Sequence, residues 1–354
     1  MLAQGRIERI GQAGGACPNY EAALASCLDA IVGPGKALGS VAELAGIGFK
    51  AVHAGTVSGT RLIDQEVLAA MEEFSFFAPA HNPPYIAAMR AFHKAMPDVP
   101  LVALFETAFF DSLDEATVTY AVPYRWKEID GVRRYGFHGA SHRASSERAR
   151  ELCGGGDLRH ISCHLGGSSS LAAVRGGVAV DTSFGISPQS GLPQNNRVGD
   201  FDVFAALYIM EKYSLTVEEM ARTLAGESGL AGIAGGSGDV RDLTAEAAAG
   251  NARAQLALAV FVRAVRHYLG AFLVELGGLD VLTFSGGIGE NSAGTRASVC
   301  EGLAGFGIAL DAERNRTLRG EGTISAEGAA VRVLVLPADE ETVVARAVAA
   351  FLGL

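Results

Sequence analysis

The chain has 354 residues, enough for two domains, and its 49% apolar and 19% charged side chains exclude a disordered protein. A net charge of −10 excludes nucleic acid or an anionic membrane surface as the main partner, although a few local cations can still hold a small anion. The five cysteines, Cys17, Cys27, Cys153, Cys163 and Cys300, are odd in number and lack CxxC spacing. Neither a disulfide framework nor a zinc site is expected, only buried free thiols in a reducing compartment.

Residues 1–16 hold charges and glycines without an apolar targeting core, so a cytoplasmic location is expected. Tyr20 to Ile31 has an Ala/Leu-rich helical pattern. Within Ser162 to Thr182, the apolar run Leu171–Val174, the turn Arg175-Gly176-Gly177 and the run Val178–Val180 predict a β-hairpin. Helices are predicted over 201–213, 216–225 and near 252–276. The greasy stretch Leu256–Leu276 is interrupted by Arg263, Arg266, His267 and Glu275, which makes it a core helix and no membrane span. A strand over 280–285 and a helix from Ser292 follow. Alternating helices and strands predict an α/β protein.

Leu282 to Asn291, LTFSGGIGEN, carries the most chemistry. A β-prone run breaks into Gly286, Gly287 and Gly289 at a helix start, where open backbone N–H groups can meet an anion. It is either a phosphate-binding turn or an ordinary tight connection. It matches neither GxxxxGK[ST] nor a complete GxGxxG. Four other runs accompany it: RRYGFHGASHR (133–143), HLGGSSSLAAVRGGVAVDTSFGISP (164–188), SGLAGIAGGSGDVRDL (228–243) and LPADEETVVAR (336–346). In this order, and spread over most of the chain, they resemble the signature segments of the acetate kinase family.

The resemblance implies a two-lobed α/β fold shared with actin, heat-shock ATPases and sugar kinases, each lobe a mixed sheet flanked by helices, with a cleft between. The lobes are expected at 1–112 plus 342–354 and at 113–341. It implies reversible phosphoryl transfer between ATP and a short carboxylate such as acetate or propionate, with Mg²⁺ or Mn²⁺. Partners are small molecules, with neither nucleic acid nor membrane, and a homodimer pairing through the second lobe. His138 matches a histidine that stabilises the transferring phosphoryl group. Arg197 matches an arginine that grips acyl and phosphoryl oxygens, a task suited to a planar bidentate donor. His81 matches a further active-site histidine, with Pro83 and Pro84 after it stiffening a loop. Glu340 matches a carboxylate that holds the metal, directly or through water. Nucleotide contacts are implied for His164, Gly166, Gly167, Asp239, Val240, Arg241, Gly287, Ile288, Gly289 and Asn291. The acyl pocket is implied at Val52, Ala80, Phe137 and Pro188. His138 and His142 also have metal-ligand spacing on a helix, without an HExxH context to support a metal.

Several positions depart from the family pattern. Lys50 stands for an arginine, keeping charge but losing the fork. Glu106 stands for an aspartate, and a displacement of about 1 Å at a catalytic carboxylate can cost on the order of a hundredfold. HLGGS replaces HLGNG, so Gly167 lacks an amide that would bond a phosphate. Ala80 replaces a leucine, which predicts propionate or butyrate to be handled at least as well as acetate. The family's opening strand pair with its Asn and Ser-rich turn has no counterpart, and Met1–Gly11 resembles the segment that follows it. Either the true start lies upstream of Met1 or the strand pair is lost, and a loss would leave neighbouring strands with unpaired backbone groups. These departures leave a rival reading, a nucleotide-binding protein of this fold with lost or weak kinase activity, and more remotely a sugar kinase.

Overall fold

The computed structural model describes residues 2–7, 10–11 and 16–354, so that part of the Met1–Gly11 segment lies outside the described residues. Two compact units emerge, residues 1–108 with 344–354, and residues 109–343.

In the N-terminal unit three strands, β1 (Ile47–Ala51), β2 (Thr60–Leu62) and β3 (Leu101–Phe105), form a sheet ordered β1-β3-β2, with β1 parallel and β2 antiparallel to β3. Every residue of β3 is buried, as expected for a central strand. Phe49, Ala51, Ala103 and Phe105 pack on Val67, Leu68, Met71, Ile86 and Met89, from the helices Gln65–Glu73 and Asn82–Ala95. The helix Tyr20–Ile31 starts on Asn19, whose side chain accepts from the Ala22 amide. Pro83 and Pro84 sit in the first turn of the helix Asn82–Ala95 and not in a loop. The first turn has no use for their missing N–H groups and favours their fixed φ, so the proline pair starts this helix.

The C-terminal unit is built on six strands, β4 (Arg159–Leu165), β5 (Ser169–Arg175), β6 (Val178–Thr182), β7 (Val281–Ser285), β8 (Gly322–Thr323) and β9 (Arg332–Val335), ordered β6-β5-β4-β7-β9-β8. The hairpin predicted before the turn at 175–177 is β5–β6, and β4, β7 and β9 run parallel. Alternation along β4 sends Ile161, Cys163 and Leu165 into the main core with the helix Ala252–Glu275. That helix is long and apolar enough to cross a membrane. Its Ala254, Ala257, Phe261, Val265, Leu269 and Phe272, spaced three and four apart, are instead buried against the sheet. The other face of β4 presents His160, Ser162 and His164 towards the helix Gly139–Leu152. Of the cysteines, Cys17, Cys163 and Cys300 are buried as expected, whereas Cys27 is exposed and Cys153 half-buried.

Candidate active site

Parallel pairing of β4 with β7 places His164 opposite Ser285. The chain leaving β4 as Gly166-Gly167 therefore runs beside the chain leaving β7 as Gly286-Gly287, at the carboxyl ends where open α/β sheets bind ligands. A Cβ on Gly166 would lie 3.9 Å from the Gly287 amide nitrogen and 3.6 Å from His164 Nε2. Gly286 has φ +76°, and a Cβ there would sit 2.7 Å from the Leu165 carbonyl oxygen, so only glycine fits between the two strand ends. GGIGEN is itself a short helix, Gly286–Asn291, and the helix expected from Ser292 runs Ala293–Cys300 with Ser292 as its cap. Glu290 secures the first of these, one carboxylate oxygen accepting from the Gly286 and Ala338 amides at 3.0 and 3.1 Å.

The two strand ends open into a cavity of about 530 Å³ lined by Gly166, Gly167, Asn195, Asp239, Val240, Arg241, Thr244, Gly287, Ile288, Asn291 and Ser292. Eight of the ten positions expected to contact nucleotide converge here. Gly289 turns inward, where a Cβ would press on Phe284. His164 lies below the glycine lip. Asn195, Thr244 and Ser292 complete the lining; nothing in the sequence marks the first two, and Ser292 reads only as a helix start. Asp239 caps the helix Val240–Ala248, and its carboxylate grips Arg241 at 2.6 and 3.0 Å. This pair forms the outer wall, with the Arg241 side chain 89% exposed.

Next to the glycine lip lies a buried polar cluster. His138 caps the helix Gly139–Leu152 with φ +58° and ψ +28°, a left-handed conformation that costs a non-glycine residue about 1–3 kcal/mol. Its ring stacks on His164 with centroids 4.3 Å apart. His138 Nδ1 shares a 2.8 Å hydrogen bond with Ser170 Oγ, which also pairs with His142 Nε2 at 2.8 Å. His142 Nδ1 reaches Ser162 Oγ at 2.9 Å, and His164 Nδ1 reaches Ser141 Oγ at 2.7 Å. His142 therefore bonds to two serines, and its spacing from His138 serves a hydrogen-bond chain. Burial holds the His142 imidazole well below its ordinary pKa, helped by the nearby His164 and His160, and burial pushes His160 down to about 3. Both are neutral rings at pH 7.

Arg197 donates to the Pro188 carbonyl at 3.1 Å, and burial lowers its pKa to about 10, which leaves it cationic at neutral pH. Phe137 is buried edge-on against Phe184, and Pro188 is also buried. In the N-terminal unit, Lys50 Nζ lies 3.4 Å from Glu106 Oε1, the lysine 32% and the glutamate 3% exposed. The two departures in that unit thus form one ion pair, the longer carboxylate reaching the shorter-headed cation. His81 caps the helix Asn82–Ala95, held by buried Asn82, which donates to the carbonyls of His53 and Met71 at 2.7 and 2.8 Å. Val52 is buried and Ala80 exposed in the turn before His81. Glu340 opens the helix Glu340–Leu352. Among the described residues no three His, Cys, Asp or Glu side chains gather into a metal site. A larger groove of about 770 Å³ opens beside Asp200, Arg263 and Tyr268, away from the strand ends.

The profile of the acetokinase family matches residues 6–346. The chain belongs to the acetokinase family. It is 41% identical over 364 aligned residues to acetate kinase of Shouchella clausii strain KSM-K16, covering 98% of this chain and 92% of the relative. The crystal structure of Porphyromonas gingivalis acetate kinase superposes with a TM-score of 0.87 at 36% identity, covering 98% of this chain and 92% of that one. That of a propionate kinase from Francisella tularensis subsp. tularensis SCHU S4 gives 0.85 at 31% identity, covering 93% and 84%. The two-lobed α/β fold expected from the signature runs is therefore the acetokinase fold.

Proposed function

We propose that the chain catalyses reversible transfer of the ATP γ-phosphoryl group to a short-chain carboxylate, giving an acyl phosphate. As an acetokinase family member it is an ATP-dependent phosphotransferase with a carboxylate acceptor. The observation that carries the reading is a nucleotide-sized cavity whose glycine lip abuts the stacked His138–His164 pair. A carboxylate oxygen forms the new P–O bond while the bond from the γ-phosphorus to the bridging oxygen breaks, and ADP leaves with the electron pair. No proton need move, so catalysis is positioning and charge stabilisation.

We assign His138 to the transferring phosphoryl oxygens and Arg197 to acyl and phosphoryl oxygens. Lys50 in the N-terminal unit shares the latter task, with His81 as a further donor. Mg²⁺ characteristically takes one or two carboxylates and keeps phosphate and water ligands. Glu340, with Glu106 in support, would hold it. A metal held there would supply neutralisation of the β- and γ-phosphate charge. Val52, Ala80, Phe137 and Pro188 are assigned to the acyl group.

Trapping acyl phosphate with hydroxylamine, using ATP, Mg²⁺ and acetate, propionate or butyrate, tests this directly. Hydroxamate is expected from acetate and propionate, with propionate at least as good by kcat/KM. Hydroxamate from none of the acids would overturn the activity. An acetate preference of about tenfold or more, roughly 1.4 kcal/mol, would overturn only the pocket assignment.

We also infer a cytoplasmic homodimer. The helix Val203–Tyr213 has no buried residue, and Val203, Phe204, Leu207, Tyr208 and Tyr213 are 53–75% exposed. An apolar patch of this kind marks an association surface. Phe204→Glu with Leu207→Glu should sediment as a folded monomer where the unaltered chain sediments as a dimer. A monomeric unaltered chain would refute the pairing.

A further inference from the structure

Gly167 lacks the side-chain amide that the family sequence places at its position, and the structure shows another amide there. A Cβ built on Gly167 would lie 3.4 Å from Asn195 Nδ2 and 3.8 Å from Asn195 Cγ, ordinary contact distances. The space into which a side chain at 167 would grow is therefore bordered by the Asn195 carboxamide. Both residues line the cavity at the strand ends, beside Gly166 and Gly287. Asn195 Oδ1 is buried without a hydrogen-bond partner, and its Nδ2 donates to no group among the described residues. A carboxamide carries two N–H donors on Nδ2, and these are the atoms that Asn195 can offer to an anion in the cavity it lines.

The backbone under this side chain is fixed on several sides. The Asn195 amide donates to the Gly167 carbonyl at 3.2 Å, and its own carbonyl accepts from the Ala231 amide at 2.8 Å. Gly238 packs so closely that a Cβ there would fall 2.0 Å from the Asn195 carbonyl oxygen. The backbone that carries the carboxamide beside position 167 is thus held by contacts that leave the side-chain polar atoms unused. Such preorganisation suits a group that must meet a charged ligand without further ordering cost.

We propose that Asn195 supplies the phosphate-binding amide missing at Gly167, donating from Nδ2 to a β- or γ-phosphate oxygen of the adenine nucleotide. The inference rests on the nucleotide reading of this cavity, but not on catalysis. It makes the loss at 167 a relocation of one donor by about one side-chain length to a neighbouring loop.

Calorimetric titration of the full chain with ATP, ADP and adenosine tests it. The proteins are the unaltered chain, Asn195→Ala, Asn195→Asp and the exchange Gly167→Asn with Asn195→Gly. Asn195→Ala should weaken ATP and ADP about tenfold, the usual worth of a hydrogen bond to a charged group, and leave adenosine within about twofold. Asn195→Asp should weaken both phosphorylated ligands further, by repulsion. The exchange should recover most of the loss. Unchanged ATP and ADP affinity in Asn195→Ala would overturn the assignment, as would an equal loss for adenosine, which would mark a structural role. If the exchange folds with an unaltered melting temperature yet recovers nothing, the relocation is refuted. An unaltered chain that binds ATP but forms no acyl phosphate would sink the kinase reading and leave this one standing. One that binds no nucleotide would sink both.

Discussion

Replacing His138 by alanine is expected to lower kcat by about a hundred- to a thousandfold, the range found when one preorganised donor to developing charge is removed. The ring is aimed from both sides, by stacking on His164 and by the Nδ1 contact with Ser170. Ser170 has one proton to give and sits between two imidazoles, so it can donate to only one and must accept from the other. Two assignments satisfy every atom, and the one that serves transfer runs from Ser162 to His142 Nδ1, from His142 Nε2–H to Ser170, and from Ser170 to His138 Nδ1. His138 then carries its remaining proton on Nε2, the atom assigned to a phosphoryl oxygen. Burial keeps His142 neutral near pH 7, so it can both accept and donate in this chain. Asn at 138 tolerates the left-handed backbone and serves as a control for fold. His138→Ala and His138→Asn should both lose turnover while ATP affinity stays within about threefold. Turnover within tenfold of the unaltered chain in His138→Ala would refute the assignment.

The largest loss of stability is expected at Arg296. This guanidinium is 2% exposed. It donates at 2.8 Å to the Gly289 and Glu290 carbonyls, and to both the side-chain and backbone oxygens of Asn315. Two acceptors are carbonyls near the negative end of the short helix Gly286–Asn291, where a cation is favoured. Burial lowers its pKa, yet an arginine remains charged at neutral pH. Arg296→Leu leaves three buried acceptors and one half-buried acceptor to find other partners and should cost about 3–5 kcal/mol. A melting temperature lower by roughly 10 °C is the expected readout. Lysine should rescue little, because one ammonium group cannot reproduce the planar fork. Since the same guanidinium holds the turn under the cavity, nucleotide affinity should fall with stability in Arg296→Leu. Thermal unfolding in the presence and absence of ADP measures both. A melting temperature within 2–3 °C of the unaltered chain, less than about 1 kcal/mol, would contradict the clamp.

The parts of this molecule that were legible in the sequence are those whose physics is local. The β5–β6 hairpin was announced by its Gly-Gly turn, and the helix Ala252–Glu275 by apolar residues at helical spacing. Three of the signature runs, 164–188, 228–243 and 282–291, located eight nucleotide-cavity residues because each places a strand end or a helix start at that cavity. What stayed hidden depends on partners far along the chain. GGIGEN has poor helix propensity and reads as a turn; Glu290 ties its first amide from within, and Arg296 and the Ala338 amide hold it from outside. Arg296 reads as an ordinary surface arginine until Asn315 is brought beside it. Pro83 and Pro84 read as a stiff loop because proline marks loops and first helical turns alike. Asn195 has no meaning in sequence, since its role depends on its contact with Gly167.

The parallel register that joins β4 to β7 also sets the order of events when the protein folds. His160 and Thr283 share a 2.8 Å hydrogen bond although 123 residues separate them. The two glycine lips of the cavity are therefore brought together only by closing a very long loop. Such a contact is entropically costly and forms slowly compared with the hairpin β5–β6 or any single helix. Nucleotide-binding competence should thus emerge late in refolding, after most secondary structure has returned. A ligand that bridges the lips binds only the closed register, so it stabilises that state by mass action and resists its reopening.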